Sequence, residues 1–138
     1  MPRALAIDYG TVRTGLAVTD PLCIIASPLT TVNTSELWDY LTDYIVKEDV
    51  QTVVIGLPTH LNGTPADIVP LIEAFTARLQ QQFPALTIIR QDERLTSKMA
   101  SQAIVHSGLH KKKRADKGLI DRVSATIILQ EWLEATHY

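Results

Sequence analysis

Three acidic positions stand where separate elements could carry them together. Asp8 ends an apolar run, ALAID, and Asp92, Glu93 and Arg94 close a second one, LTIIRQDER. Asp121 precedes a stretch, RVSATIILQ, with helical spacing. A carboxylate at the end of a buried strand needs a partner, because an isolated charge is costly to remove from water. A hard divalent cation would supply one, since such ions take carboxylates, water and phosphate oxygens. Two of them about 3.5–4 Å apart can activate a water and stabilise the leaving oxygen of a phosphodiester. Each acid also has a purely structural explanation. Asp8 could accept backbone N–H bonds from Gly10 and Thr11 in the turn that follows. Asp92–Arg94 could be an exposed strand end with local ion pairs. Asp121 could open a helix and complement its dipole. What favours chemistry is the convergence of acids from independent elements on one edge.

Other nucleophile and metal chemistries find less support. No Ser or Cys with a His partner is evident, and His60, His106, His110 and His137 lack metal-ligand spacing. A single Cys23 excludes both an internal disulfide and a cysteine metal cage.

Cations flank the acids. The segment GTVRTG (10–15) sets backbone N–H groups, Thr11, Thr14 and Arg13 beside Asp8. It suits a phosphate, and a tight hairpin would select the same glycines. GLPTHLNGT (56–64) leads into a helix N-terminus, another resting place for a phosphate. The net charge is −2, yet Lys111, Lys112, Lys113, Arg114 and Lys117 cluster directly before Asp121. Outside 111–117 the chain holds 8 basic and 14 acidic residues, or −6. A cationic loop on an acidic body could clamp a nucleic-acid backbone or simply be solvated.

The elements that must position these residues follow from periodicity. The run at 4–8 reads as a strand buried on both faces. Gly10 and Gly15 bracket a tight turn, and GLAVTD (15–20) is the antiparallel return. A third strand lies within 24–32, where Pro28 places it at an edge. Asn33, Thr34 and Ser35 offer caps for a helix whose face is Leu37, Trp38, Leu41, Tyr44 and Ile45. A buried strand at 52–58 comes next. Thr64–Pro65 starts a helix with the stripe Ile68, Leu71, Ile72, Phe75 and Leu79. A strand at 86–93, a helix at about 97–107 and a last helix at about 121–135 complete the chain. Ser124, Ala125 and Ile128 share a face with Asp121, and the small residues would let that helix approach the sheet closely.

The order predicts an α/β fold: a five-stranded mixed sheet, spatial order 3-2-1-4-5, with helices on both faces. Functional sites in such sheets gather at the carboxyl ends of the parallel strands. With 138 residues, one domain spanning 1–138 is expected. No apolar run approaches the length that spans a bilayer, and no signal peptide is evident, so a cytoplasmic location is expected.

AIDYGTVRTGLAVTD, VVIGLP, LNGT, DERLTS and KGLIDRVSATIIL together resemble the YqgF family of Holliday junction resolvase-like proteins and pre-16S rRNA nucleases, over essentially the whole chain. The resemblance implies an RNase H-like fold with Asp8, Glu93 and Asp121 as an acidic triad. It also implies a Mg²⁺- or Mn²⁺-dependent nuclease acting in ribosome biogenesis on the 5′ end of small-subunit rRNA. Thr11, Arg13, Arg94, Lys111, Lys112, Lys113, Arg114 and Lys117 would then touch the nucleic acid, with the protein a monomer or weak homodimer. Two features depart from relatives. Ser124-Ala125 replaces the frequent Ala-Ala, and the strand ending in Gly56-Leu57-Pro58 carries no acid, whereas RuvC-type resolvases have one there. Glu93 would therefore start about two strand spacings, roughly 10 Å, from Asp8, which leaves one-metal and two-metal sites both open.

Three other readings fit the same residues. Branched-DNA resolution would use the same acids and a dimer. D-x-G-T-x-x-T-G also resembles the first phosphate loop of actin-like ATPases, which close two such domains on ATP. A nucleic-acid-binding protein without catalysis is the fourth.

Overall fold

The computed structural model describes residues 3–20, 22, 24–57, 67–92 and 117–137. Within them the chain forms β1 (Arg3–Asp8), β2 (Arg13–Thr19), β3 (Ala26–Asn33), a short 3₁₀ turn (Thr34–Glu36), α1 (Leu37–Lys47), β4 (Val50–Leu57), α2 (Val69–Gln82), β5 (Thr87–Asp92) and α3 (Lys117–His137). The sheet order is β3-β2-β1-β4-β5, as the sequence predicts. β1 pairs antiparallel with β2 and parallel with β4. β3 is an edge strand that accommodates Pro28. The ladder steps from Leu16↔Thr30 to Ala17↔Pro28, so Leu29 is the extra residue of a bulge.

Side chains alternate across the sheet. Leu5, Ile7, Leu16, Val53 and Ile55 face one way and pack on α1 and α2. α1 buries Leu37, Leu41 and Ile45, and α2 buries Ile72, Thr76 and Leu79. Leu71, expected in the α2 stripe, is 51% exposed. It lies 100° around the helix from Ile72, outside the narrow stripe that one sheet face covers. The opposite sheet face presents Ala4, Ala6, Ala17 and Val54 to Ala125, Ile128 and Leu129 of α3. The expected close approach of α3 is present, with Ser124 and Ala125 fully buried.

Three local expectations are corrected. α3 starts at Lys117, so Asp121 sits a full turn inside the helix and is not its opening residue. Residues 117–120 form the turn of α3 that precedes it. Thr34 does not cap α1, which has no side-chain cap bond. Its hydroxyl is taken by Gly10, to whose carbonyl it donates at 2.7 Å. Gly15 does not close the first turn, since β2 already begins at Arg13. The helix expected at 97–107 and the Thr64–Pro65 start lie outside the described residues, and α2 is described from Val69 with Pro70 in its first turn. No helix of the described residues is long and apolar enough to cross a membrane.

Candidate active site

β1 runs as a buried strand until its last residue, Asp8. Even-numbered β1 residues face α3, because Ala4 and Ala6 pack against it. The same parity puts Asp8 on that face. Tyr9 points the other way, packed on Phe75 of α2 with ring centroids 5.5 Å apart, which fixes the chain just past Asp8. Of the two turn donors considered for Asp8, the Gly10 N–H is directed at Thr14 Oγ1, at 3.5 Å.

Asp8 is paired across the ladder with Gly15 of β2. A Cβ on Gly15 would run into the backbone carbonyl of Asp121 and stand 2.9 Å from the Asp121 Cβ. Asp121 therefore rests directly on Gly15. Directly paired residues of an antiparallel ladder have Cα atoms about 4.5–5.5 Å apart. Asp8 and Asp121 thus flank one glycine, on one face, at the carboxyl end of β1. The missing side chain is what allows a helix turn to sit on the strand there.

On the far side of Asp8 lies Gly56, next after the Ile7↔Ile55 pair, and Gly56 pairs in turn with Gln91 of β5. The carboxylate is therefore bracketed by two glycines. The Gln91 amide donates to Glu131 of α3 at 3.5 Å, so β5 also presents this parity to α3. Glu93, Arg94, Lys111, Lys112, Lys113 and Arg114 lie outside the described residues. Lys117 begins α3, one turn before Asp121. Thr11 is exposed in the turn.

Arg13 does not reach into solvent as a free phosphate ligand. Its Nε donates to Asp121 Oδ2 at 3.0 Å, in a pair whose side chains keep 38% and 24% of their exposure. The turn behind it is closed on itself. Thr14 is fully buried, its hydroxyl 2.9 Å from that of Thr34, and the Thr34 N–H donates to the Val12 carbonyl at 2.9 Å. Thr14 is thus a structural residue, unlike the phosphate contact that GTVRTG suggests. A Cβ on Gly10 would collide with the Arg13 carbonyl, so this turn requires glycine.

Sequence reasoning missed two residues here. Gly15 reads as a turn residue until the ladder is counted back from the turn to Asp8. Arg122 follows Asp121 and hydrogen-bonds Thr31 Oγ1 on β3 at 3.3 Å. It makes no ion pair among the described residues.

Asp20 shows what a turn-bound aspartate looks like in this fold. It accepts N–H bonds from Ile25, Ile24 and Leu22 at 2.8, 2.7 and 3.3 Å. Those bonds, Ile25's first, hold its carboxyl below the usual aspartate value. A pocket of about 490 Å³ opens at the other end of the sheet, between Ile45, Asp49, Val50, Phe83 and Leu86. It lies a strand length from Asp8, without a cluster of carboxylates, and carries none of the site chemistry.

Two carboxylates on one face are the donor type that hard divalent cations prefer, so the pair fits Mg²⁺ or Mn²⁺. Among the described residues no third His, Cys, Asp or Glu completes a cluster.

This sheet order, with helices on both faces, is that of an RNase H-like fold. T. thermophilus RuvC in complex with a Holliday junction substrate matches 99% of this chain and 96% of its own, with a TM-score of 0.59 at 17% identity. The Fowlpox virus resolvase, solved with Holliday junction DNA, matches 99% of both chains with a TM-score of 0.59 at 9% identity. Residues 2–135 match the family model described as "RuvX: Holliday junction resolvase", and the chain belongs to that nuclease family. Relatives named "Putative pre-16S rRNA nuclease" include one from Flavobacterium johnsoniae, 51% identical over the full length of both chains. Another, from Porphyromonas gingivalis, is 51% identical over 97% of both.

Proposed function

We propose that the protein is a metal-dependent endonuclease that hydrolyses phosphodiester bonds in structured RNA and processes the 5′ end of pre-16S rRNA in the cytoplasm. The observation that carries this reading is the placement of Asp8 and Asp121 on either side of Gly15. The relatives at about 50% identity support the substrate.

Asp8 and Asp121 hold Mg²⁺ or Mn²⁺, with Glu93 as the third ligand. Glu93 follows two residues after Gln91 in sequence, the spacing that keeps strand parity. A hard divalent cation in such a set supplies Lewis acidity toward a phosphoryl oxygen. The chain's own residues do the rest. Asp8 is held by β1 and the Tyr9 anchor, and Asp121 by the contact with Gly15, so neither carboxylate must be ordered when substrate arrives. Arg13, Arg94 and Arg122 orient phosphates through planar donor forks. Lys111, Lys112, Lys113, Arg114 and Lys117 attract the phosphate backbone, and Thr11 offers it a hydroxyl.

Asp8→Asn removes a charge but no volume. It should lower cleavage of a pre-16S rRNA fragment at least a hundredfold while the unfolding midpoint stays close to the parent's. Undiminished cleavage by this variant would remove Asp8 from the site. The family description and the resolvase neighbours favour a second reading, branched-DNA resolution. The same preparation assayed on a four-way junction decides between them, because faster cutting of the junction than of the rRNA fragment would replace the first.

A further inference from the structure

The Arg13–Asp121 pair sets two roles in conflict. Arg13 Nε donates to Asp121 Oδ2 at 3.0 Å, so a hard cation taken up by that carboxylate would stand within a few ångströms of the guanidinium. Arg13 cannot turn its whole donor fork to a phosphate while Nε is held by the carboxylate. Nor can a guanidinium and a divalent cation share the same few ångströms without strong repulsion.

We infer that Arg13 is an exchangeable counter-ion. It neutralises Asp121 in the metal-free protein and is displaced to the phosphodiester when the cation binds. The inference rests on the metal-dependent reading above. Three features of the chain support it. Without a cation, Asp8 and Asp121 are two like charges beside one glycine, and a neighbouring arginine offsets their repulsion. The backbone of Arg13 is fixed, because Thr14, Thr34 and Gly10 lock the turn and Gly10 leaves no room for change. Exchange then needs only side-chain rotation from a stationary Cα. Finally, Arg13 is two residues before Gly15 on the same strand, so it projects on the face that carries both acids. A released fork there remains within a side chain's reach of the acid pair. Metal loading and phosphate capture become one event.

Magnetic resonance on the ¹⁵N-labelled full chain, freed of metal with EDTA and titrated with Mg²⁺ alone, tests this. The Arg13 Nε–H signal should be distinct and protected in the metal-free protein, and Asp121→Asn should move it. Mg²⁺ should shift it toward the position of a solvent-exposed arginine, in step with the backbone amides of Asp8 and Asp121. If those amides move while the Arg13 signal stays, the exchange is wrong and the metal site stands. If no amide near Asp8 or Asp121 responds, the metal reading falls and the exchange with it. Calorimetry adds an independent measure. Arg13→Gln removes both the competitor and a charge, and Arg122→Gln removes a nearby charge only. Arg13→Gln should tighten Mg²⁺ binding by roughly three- to fivefold, the value of a partly exposed ion pair, and clearly more than Arg122→Gln. Equal gains in the two variants would reduce Arg13 to a bystander charge.

Discussion

The two faces of the sheet are built from different materials. Toward α1 and α2 the sheet presents Leu5, Ile7, Leu16 and Ile55, large side chains that fill a thick layer. Toward α3 it presents Ala4, Ala6, Gly15 and Ala17, met by Ser124 and Ala125. Apolar burial scales with area, so the thick face contributes most of the stability. The thin face buries less but brings helix backbone against strand backbone, and a contact between backbones leaves little play. A carboxylate on α3 is therefore set by the strand beneath it and not by a flexible side-chain layer. The thick face holds the fold, and the thin face sets the position of the chemistry.

Gly15→Ala tests that division most severely. The added methyl must push Asp121 away from the strand, since it would overlap that residue's carbonyl. Overpacking of this kind costs typically about 1–3 kcal/mol. The larger effect should be on cleavage, which should fall by about 100-fold, because an ångström of misplacement at a catalytic group suffices for that. Single-turnover cleavage and urea denaturation on the same variant separate the two. A variant that is destabilised yet cleaves at the parental rate would show that the glycine serves folding alone.

Leu41→Ala is the counterpart on the thick face. Leu41 is completely buried in α1 among Leu5, Ile7 and Val53. Truncation should cost about 2–5 kcal/mol, seen as a lower urea midpoint. Cleavage measured well below the melting temperature should be unchanged, because α1 packs on the sheet face opposite the one that carries Asp8 and Asp121. A rate loss matching that of Gly15→Ala would erase the distinction between the faces.

These faces were only partly legible in the sequence. Strand order and the edge position of β3 followed from continuous apolar runs, alternation with helices and Pro28, all of which are local signals. The acid at the end of β1 was equally visible. What local reading could not supply was register. Gly15 acquires its meaning only when the ladder pairs it with Asp8, and Thr34 looks like a helix cap until Gly10 and Thr14 arrive beside it from 20 or more residues away. Asp121 reads as a helix start because the basic run reads as loop, whereas Lys117 and Gly118 already belong to α3. The Arg13–Asp121 pair, separated by 108 residues, has no sequence signature at all.

The smallest predicted effect concerns one buried hydroxyl on each face. Thr76 in α2 is buried, and its Oγ1 donates to the Ile72 carbonyl at 2.8 Å. Ser124 in α3 is equally buried, and among the described residues its Oγ has no hydrogen-bond partner. An unpaired buried hydroxyl is a penalty, and alanine is the better helix former. Ser124→Ala should therefore raise stability by about 1 kcal/mol, with no change in cleavage, because the methyl group keeps the spacing of α3 from the sheet. Thr76→Ala should do the opposite, losing both a satisfied bond and a buried methyl on the thick face. Urea midpoints of the two variants measured side by side give the sign. If Ser124→Ala were the destabilised one, its hydroxyl would have a partner in solution, and the thin face would be held by a polar contact as well as by close packing.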